Sequence, residues 1–180
     1  MKKIISLLLI TIFVAMTFAS CSEKAVTYKD DVKTFNIYST ITTLLKNNTE
    51  TYVYAAETVG FESLGEELYQ GDTHVKYYIG LNTDLTSDYF VETTGGNGCF
   101  EYGIFKANSE EAKAEIITTL QAYITRLQND DLGLSYSPDD KLILDKATVR
   151  SLGSYVIFVI APEDDANTIF VRTENLLTAE

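Results

Sequence analysis

A unit that occurs twice in the C-terminal half constrains the fold of this chain more than any other feature. The residues from Gly98 onward align without gaps on those from Gly153 onward, an offset of 55 positions. In each copy a strand-like run leads into an acidic segment that can start a helix, and the first run alternates with the period of two typical of a strand. The matched strand positions are Phe100, Tyr102 and Ile104 in the first copy and Tyr155, Ile157 and Val159 in the second.

Capping residues and apolar stripes indicate the helix of each copy. Asn108 stands three residues before Glu111, a spacing that predicts reciprocal capping of the first helical amides. The apolar stripe that follows has helical spacing and consists of Ile116, Ile117, Leu120, Tyr123, Ile124 and Leu127. In the second copy Pro162 suits a first helical turn, and the acidic residues after it suit the positive end of the helix dipole.

A further strand-like segment precedes each copy, at 88–94 and at 146–150. The pair Asn97–Gly98 suits a tight hairpin turn between the first two strands. The order strand, strand, helix, repeated once, predicts an α+β fold with a four-stranded, mainly antiparallel sheet built from two β-β-α units. Both helices are expected on the face that carries Tyr102 and Ile157.

The opposite face of this sheet is predicted to be apolar as well. It is expected to hold Phe90, Phe105, Val156, Phe158 and Ile160, interrupted by Glu92 and Glu101. An apolar surface of this size would mark an interface if it were left in water. We expect the N-terminal region, residues 28–78, to cover it as a second helical layer.

The N-terminal region is less regular, and additional helices are predicted there. Apolar residues at near-helical spacing indicate a helix within 30–47, and short helices are indicated at 62–69 and at 74–80, the last closed by Gly80. The segment 50–59 is compatible with a strand or a helical turn. No linker-like composition divides the chain, so residues 29–180 are interpreted as a single α+β domain.

The first 21 residues have the layout of a bacterial lipoprotein signal. Lys2 and Lys3 precede an uncharged apolar stretch, and small residues lead directly to Cys21. We predict a signal peptide over 1–20, lipidation of Cys21 by diacylglycerol with palmitate-type acyl chains, and a tether over 21–28. The alternatives are an uncleaved helical anchor and an ordinary signal with an incidental cysteine. The predicted location is the extracytoplasmic face of the cell membrane.

Charge and cysteine content narrow the function. Removal of Lys2 and Lys3 leaves 12 basic residues against 26 acidic ones, a formal charge of −14. Such a chain repels nucleic acid and favours cations or basic partners, although the charge also serves solubility. With Cys21 lipidated, Cys99 has no disulfide partner, and it is interpreted as a buried structural residue because no base or cation lies near it in sequence.

No segment carries a specific catalytic or metal-binding signature. The glycine cluster at 95–98 lies between two strands, unlike a phosphate-binding loop. Asn82, Asp84 and Asp88 resemble part of a calcium loop that lacks its central glycine and final glutamate, and acidic pairs at 130–131 and 139–140 suit solvated turns equally well. Zinc and a Ser-His-Asp arrangement are disfavoured because His74 is the only histidine. We therefore predict no catalytic residue, no metal and no cofactor.

The C-terminal half resembles a family of small Gram-positive-type bacterial lipoproteins known only as a domain of unknown function. The motifs that carry the resemblance are Glu101, Phe105 and Lys106 in one strand, Tyr136 and Pro138 after the long helix, and Gly153 and Tyr155 at the opening of the last strand. It covers roughly Val75 to Phe170, and Gly103 departs from the branched or small apolar residue of the family. These are packing and turn motifs, so the resemblance implies location and fold without an activity.

Three functions are compatible with these observations. The first is a lipid-anchored, non-catalytic binding or structural domain of the envelope, with an unknown protein or envelope partner and no nucleic acid. The second is a binding module for a small cationic or sugar ligand, and the third is a hydrolase that uses a pair of carboxylates. We expect the first.

Overall fold

In a computed structural model, which describes residues 26–47, 49–56, 60–65, 68–94, 99–129 and 135–179, helices pack on both faces of one antiparallel sheet. Its strands, in spatial order, are β1 (Tyr52–Ala55), β2 (Thr86–Thr93), β3 (Glu101–Ala107), β5 (Tyr155–Ile160) and β4 (Thr148–Leu152). The α-helices are α1 (Thr34–Ile41), α2 (Glu110–Gln128), α3 (Pro138–Leu144) and α4 (Glu163–Leu177). Short 3-10 turns cover Thr42–Leu44, Phe61–Leu64 and Thr83–Leu85, and a π-helical turn covers His74–Ile79.

The α+β class and the two β-β-α units are confirmed, but the prediction of four strands is wrong. The fifth strand is β1, within the segment that the sequence left open between a strand and a helical turn. Val53 and Ala55 are buried on one face, and β1 pairs along its whole length with β2. A four-residue strand is too short for its periodicity to be distinguished from a helical turn, which explains the open prediction.

The expectation that both repeat helices share one face of the sheet is also wrong. Helix α4 packs, together with α1, on the face that carries Tyr102 and Ile157. Helix α2 packs on the other face, over Phe105 and Phe158. Because β3 and β5 are apolar on both sides, each face needs its own helical layer, and the two repeat helices divide between them.

The face assignments of Phe90 and Glu92 have to be reversed. In the observed register Phe90 lies opposite Ile104, and Glu92 lies opposite Tyr102. Residues directly opposite one another on antiparallel strands share a face, so Phe90 and Glu92 belong with Tyr102, whereas Glu101 lies on the α2 face. The strand pattern alone contains no information about this register.

The N-terminal region covers a different surface from the predicted one. Ile37 and Ile41 of α1 pack on the α4 face of the sheet rather than on the face with Phe158. On the α2 face this region contributes Val75, with Tyr54 and Ala56 packed against the same core, and Ile79 follows at the end of the π-helical turn. That turn ends at Gly80, as predicted, where φ is +81°.

The helices α2 and α3 both begin behind a capping serine, and for α2 the predicted capping residue has to be corrected. The N-cap of α2 is Ser109, whose hydroxyl accepts the N–H of Ala112 at 3.1 Å, and not Asn108. Asn108 instead donates its side-chain N–H to the carbonyl oxygen of Asp84 at 2.9 Å. Helix α3 begins at Pro138 behind a capping box formed by Ser137 and Asp140.

Several predictions fall outside the described residues. These are the signal peptide over 1–20, Cys21, the turn at Asn97–Gly98 and the acidic pair at 130–131. Among the helices that the structure does describe, none has the length and apolar character needed to cross a bilayer.

Candidate functional site

The histidine of this chain lies against a buried carboxylate. The Nε2 atom of His74 is 3.0 Å from Oε1 of Glu101, and the two side chains are 12% and 8% exposed. The π-helical turn positions the imidazole, and the first residue of β3 supplies the carboxylate. The sequence set His74 apart from Cys99 by their distance along the chain, whereas in the fold the imidazole contacts the residue two positions after Cys99.

A tyrosine completes the hydrogen bonding of this carboxylate. Tyr123 of α2 donates its hydroxyl to Oε2 of Glu101 at 2.9 Å, so each oxygen of the carboxylate has a partner. Burial, and then the charge of Glu101, hold the pKa of the Tyr123 phenol well above its ordinary value. Tyr123 therefore acts as a neutral hydrogen-bond donor at physiological pH. We call His74, Glu101 and Tyr123 the Glu101 cluster.

Aromatic rings and an arginine fix the histidine in place. The imidazole of His74 lies 4.9 Å from the ring of Tyr54 and stacks at 5.3 Å on the ring of Tyr78. Arg126 donates to the carbonyl oxygens of Tyr78 and Ile79 at 2.6 and 3.0 Å, which holds the C-terminal end of the π-helical turn against α2. The histidine is thus positioned by contacts on its ring faces as well as at Nε2.

The thiol near the Glu101 cluster is not activated. Cys99 is buried, as predicted, and burial, with Asp140 and Glu101, raises the pKa of its thiol to about 12. Nucleophilic cysteines need the opposite shift, because the thiolate is the reactive form. At neutral pH the thiol stays protonated and behaves as a small apolar group.

A second buried carboxylate lies on the other face of the sheet. Glu92 accepts hydrogen bonds from the hydroxyls of Tyr102 and Thr51, both at 2.7 Å. Burial raises its pKa even though these hydrogen bonds act in the opposite direction. Because Glu92 and Glu101 point to opposite faces, they do not form the converging pair that a glycosidase requires.

An open cleft of about 560 Å³ lies at the end of the sheet where α4 begins. Four carboxylates line it, and each already has a structural partner in the fold. Asp164 pairs with Lys46 at 2.7 Å, and Asp165 accepts the backbone N–H of the same lysine at 2.8 Å. Glu163 pairs with a lysine at 3.0 Å, and Asp140 closes the α3 capping box. The cleft therefore offers no carboxylate that is clearly reserved for a substrate.

The residues that resemble part of a calcium loop form hydrogen bonds with backbone N–H groups instead. The side chain of Asn82 accepts the N–H of Asp84 at 3.1 Å and starts a 3-10 turn, while Asp88 accepts the N–H of Thr34 at 2.9 Å. Within the described ranges, no three His, Cys, Asp or Glu side chains gather in a metal-binding arrangement. Asp140, from the predicted acidic pair at 139–140, is engaged in helix capping.

The outer side of the π-helical turn carries two exposed aromatic rings. Tyr77 is 78% exposed and its neighbour Tyr78 is 58% exposed. One face of the Tyr78 ring rests on His74, so its position is set by the Glu101 cluster beneath it. The sequence predicted a short helix here but missed this arrangement. Adjacent tyrosines in a short helix were the available signal for the surface, and a glutamate within an apolar strand was the signal for Glu101.

Comparison with known proteins identifies a single family. Residues 62–161 match the family model described as a domain of unknown function, DUF4358. The match begins earlier and ends earlier than the resemblance seen in the sequence, and it includes all of the Glu101 cluster. No curated protein and no solved structure matches the chain significantly.

Proposed function

The chain belongs to the DUF4358 family of domains of unknown function, and from this starting point we propose that it is a non-catalytic, lipid-anchored domain of the cell envelope. Its anchor is a diacylglycerol on Cys21, and its place is the extracytoplasmic face of the cell membrane. The partner it binds there is a protein or another envelope component.

The N-terminal sequence carries the proposal. Lys2 and Lys3, the uncharged stretch after them, and the small residues before Cys21 combine the three parts of a lipoprotein signal. Two acyl chains on one residue give stable anchoring, whereas a single short chain gives only reversible binding.

The state of the reactive side chains supports a non-catalytic role. His74 is held by Glu101 and by aromatic rings, and the thiol of Cys99 has a raised pKa. Buried polar groups with complete hydrogen bonding rigidify a core and favour one native structure. The Glu101 cluster therefore serves to position the π-helical turn and its exposed rings.

The anchor would also orient the domain. Tyr28, the last tether residue, pairs with Thr178 and lies against Gly153, close to the end of β3 at Ala107. Glu101 lies at the other end of the same strand. An anchored chain would thus carry the Glu101 cluster on the side away from the bilayer.

Metabolic labelling with an alkyne fatty acid tests the anchor. We expect label on the wild type, none on Cys21→Ala, and wild-type label on Cys99→Ala, which is the matched control because it removes the other cysteine. Equal labelling of the wild type and Cys21→Ala would contradict lipidation of Cys21.

The exposed rings favour a second candidate, a binding module for a sugar or small cationic ligand. Sugars and cations both bind aromatic faces, and the negative chain would favour a cation. Titration with N-acetylglucosamine oligomers and with tetramethylammonium tests this function. Tyr78→Ala should abolish saturable binding of the active probe, while Leu142→Ala, which removes another exposed side chain, should not. No saturable binding of either probe would count against this candidate.

A further inference from the structure

The two edges of the sheet differ in how their backbone is covered. Along β1, Val53 donates to the carbonyl oxygen of Leu68 at 2.7 Å, Gln70 donates to that of Val53 at 2.8 Å, and Ala55 donates to that of Gly71 at 2.9 Å. Residues 68–71 therefore cover the outer edge of β1 and close that edge of the sheet. At the other edge, β4 pairs with β5, and no other described segment pairs with it.

An unpaired edge offers hydrogen-bonding groups to another chain. Alternate residues of an antiparallel edge strand direct their N–H and C=O groups away from the sheet. Five residues of β4 extend over roughly 17 Å, long enough to pair with a short extended segment. Strand addition of this kind draws affinity from the backbone and specificity from neighbouring side-chain sites.

Such a side-chain site lies directly beside β4. A hollow of about 190 Å³ is lined by Thr148 and Arg150 of the strand and by Asn167 and Phe170 of α4, among others. The guanidinium of Arg150 lies 4.0 Å from the centre of the Phe170 ring, which fixes its orientation. The strand thus provides both a backbone edge and a positioned side chain.

The charge of Arg150 is not neutralised within the described part of the chain. The nearby Lys146 pairs with Glu163 at 3.0 Å, but no described carboxylate forms an ion pair with Arg150. A guanidinium recognises a carboxylate through two parallel hydrogen bonds. The Arg150 guanidinium therefore gives the hollow an uncompensated positive charge, which suits an acidic side chain of a ligand.

We propose that β4 is a docking edge for an extended peptide segment of a partner protein, which adds as a sixth strand and places an Asp or Glu side chain against Arg150. The inference is independent of the lipid anchor, since it rests on β4, Arg150 and Phe170. A second copy of this chain fits less well because two copies, each with a formal charge of −12, or −14 after removal of Lys2 and Lys3, repel one another.

A displayed library of random decapeptides, panned against the full-length chain in detergent, provides the test. We expect selected peptides to be rich in β-branched residues and to share an acidic position. Hydrogen exchange of the complex should slow in 148–152 and not in 52–55. Arg150→Glu should weaken binding at least about tenfold, a loss expected for one charge-assisted contact.

Control variants separate docking from folding. Arg150→Gln keeps most of the side-chain stem and should weaken binding less than Arg150→Glu. Lys141→Glu makes the same charge change on α3 and should bind like the wild type, and circular dichroism should show that all three variants are folded. The proposal is overturned if no peptide is selected, if selected peptides lack acidic residues, if exchange slows elsewhere, or if Arg150→Glu binds normally. Normal binding by Arg150→Glu would mean that the charge of Arg150 only prevents unwanted pairing at an exposed edge strand.

Discussion

Removal of one hydroxyl tests whether the Glu101 cluster stabilises this fold. In Tyr123→Phe the ring stays in place, and only the hydrogen bond of 2.9 Å to Oε2 of Glu101 is lost. Tyr123 is 2% exposed, so water cannot easily replace the missing donor. The change leaves Glu101 with a single side-chain partner, His74.

The expected loss of stability follows from the charge of the hydrogen-bond acceptor, the Glu101 carboxylate. A hydrogen bond to a charged group contributes about 1.5 to 3 kcal/mol to stability. Packing should change little, because the ring keeps its edge contact with Phe158 at 6.3 Å. We therefore expect the free energy of unfolding of Tyr123→Phe to fall by about 1.5 to 3 kcal/mol. For a domain of this size, the melting temperature would fall by about 3 to 12 °C.

Urea unfolding at 25 °C, followed by circular dichroism, measures this loss. The slope of the unfolding free energy against urea concentration should stay the same, since the surface exposed on unfolding does not change. Tyr77→Phe is the matched control because its hydroxyl is on a side chain that is 78% exposed, and it should change stability by less than about 0.5 kcal/mol.

A double-mutant cycle assigns the energy to the pair. Tyr123→Phe made in a Glu101→Gln background should cost less than in the wild type, because the charged acceptor is gone. The reasoning is refuted if Tyr123→Phe costs no more than Tyr77→Phe, or if its cost is the same in both backgrounds.

Three further predictions concern buried positions. The Cys99 thiol should react slowly with Ellman's reagent at pH 8 until the chain is unfolded, because its pKa is raised to about 12; fast reaction would contradict burial. Gly103→Ala should cost about 1 to 3 kcal/mol in urea unfolding, since an added Cβ would lie 2.8 Å from the carbonyl oxygen of Phe90. Burial raises the pKa of Glu92, so as pH rises above its ordinary 4.5 the wild type should lose stability relative to Glu92→Gln; parallel pH profiles would contradict this.

Local patterns were sufficient to predict most elements of the fold. The paired strands β2 to β5 and the long helices follow from the periodicity within each segment and from the repeat of one unit along the chain, and neither requires knowledge of tertiary contacts. The same holds for Gly80, since a helix end with positive φ favours glycine whatever packs around it. Core tyrosines such as Tyr102 and Tyr155 were also predicted correctly, because they lie on apolar strand positions.

The candidate site could not be predicted in the same way. His74 and Glu101 are 27 residues apart, and their contact depends on how the π-helical turn docks on the sheet. The sequence did contain one indication, a charged residue within a strand expected to be buried. A buried carboxylate needs hydrogen-bond partners, so Glu101 itself indicated that donors would be found nearby.

Gly103 shows how the sequence and the fold explain one another. The family resemblance predicted a branched or small apolar residue at position 103, but this chain has a glycine there. In the fold, Phe158 and Val91 occupy the space that a side chain would need, at 2.6 and 2.8 Å from an added Cβ. Large residues on the two neighbouring strands therefore replace the missing side chain, and the glycine follows from their size.

The position of the two repeat helices depends on the whole sheet rather than on the repeat. Val156 and Phe158 are fully buried on one side of β5, and Tyr155 and Ile157 are fully buried on the other. If both helices lay on one face, the opposite face would expose a contiguous apolar surface, which water disfavours. The single helix α1 is only eight residues long, and it cannot cover a five-stranded sheet by itself. The 19-residue helix α2 therefore has to cross to the other face, so that similar strands lead into helices on opposite sides.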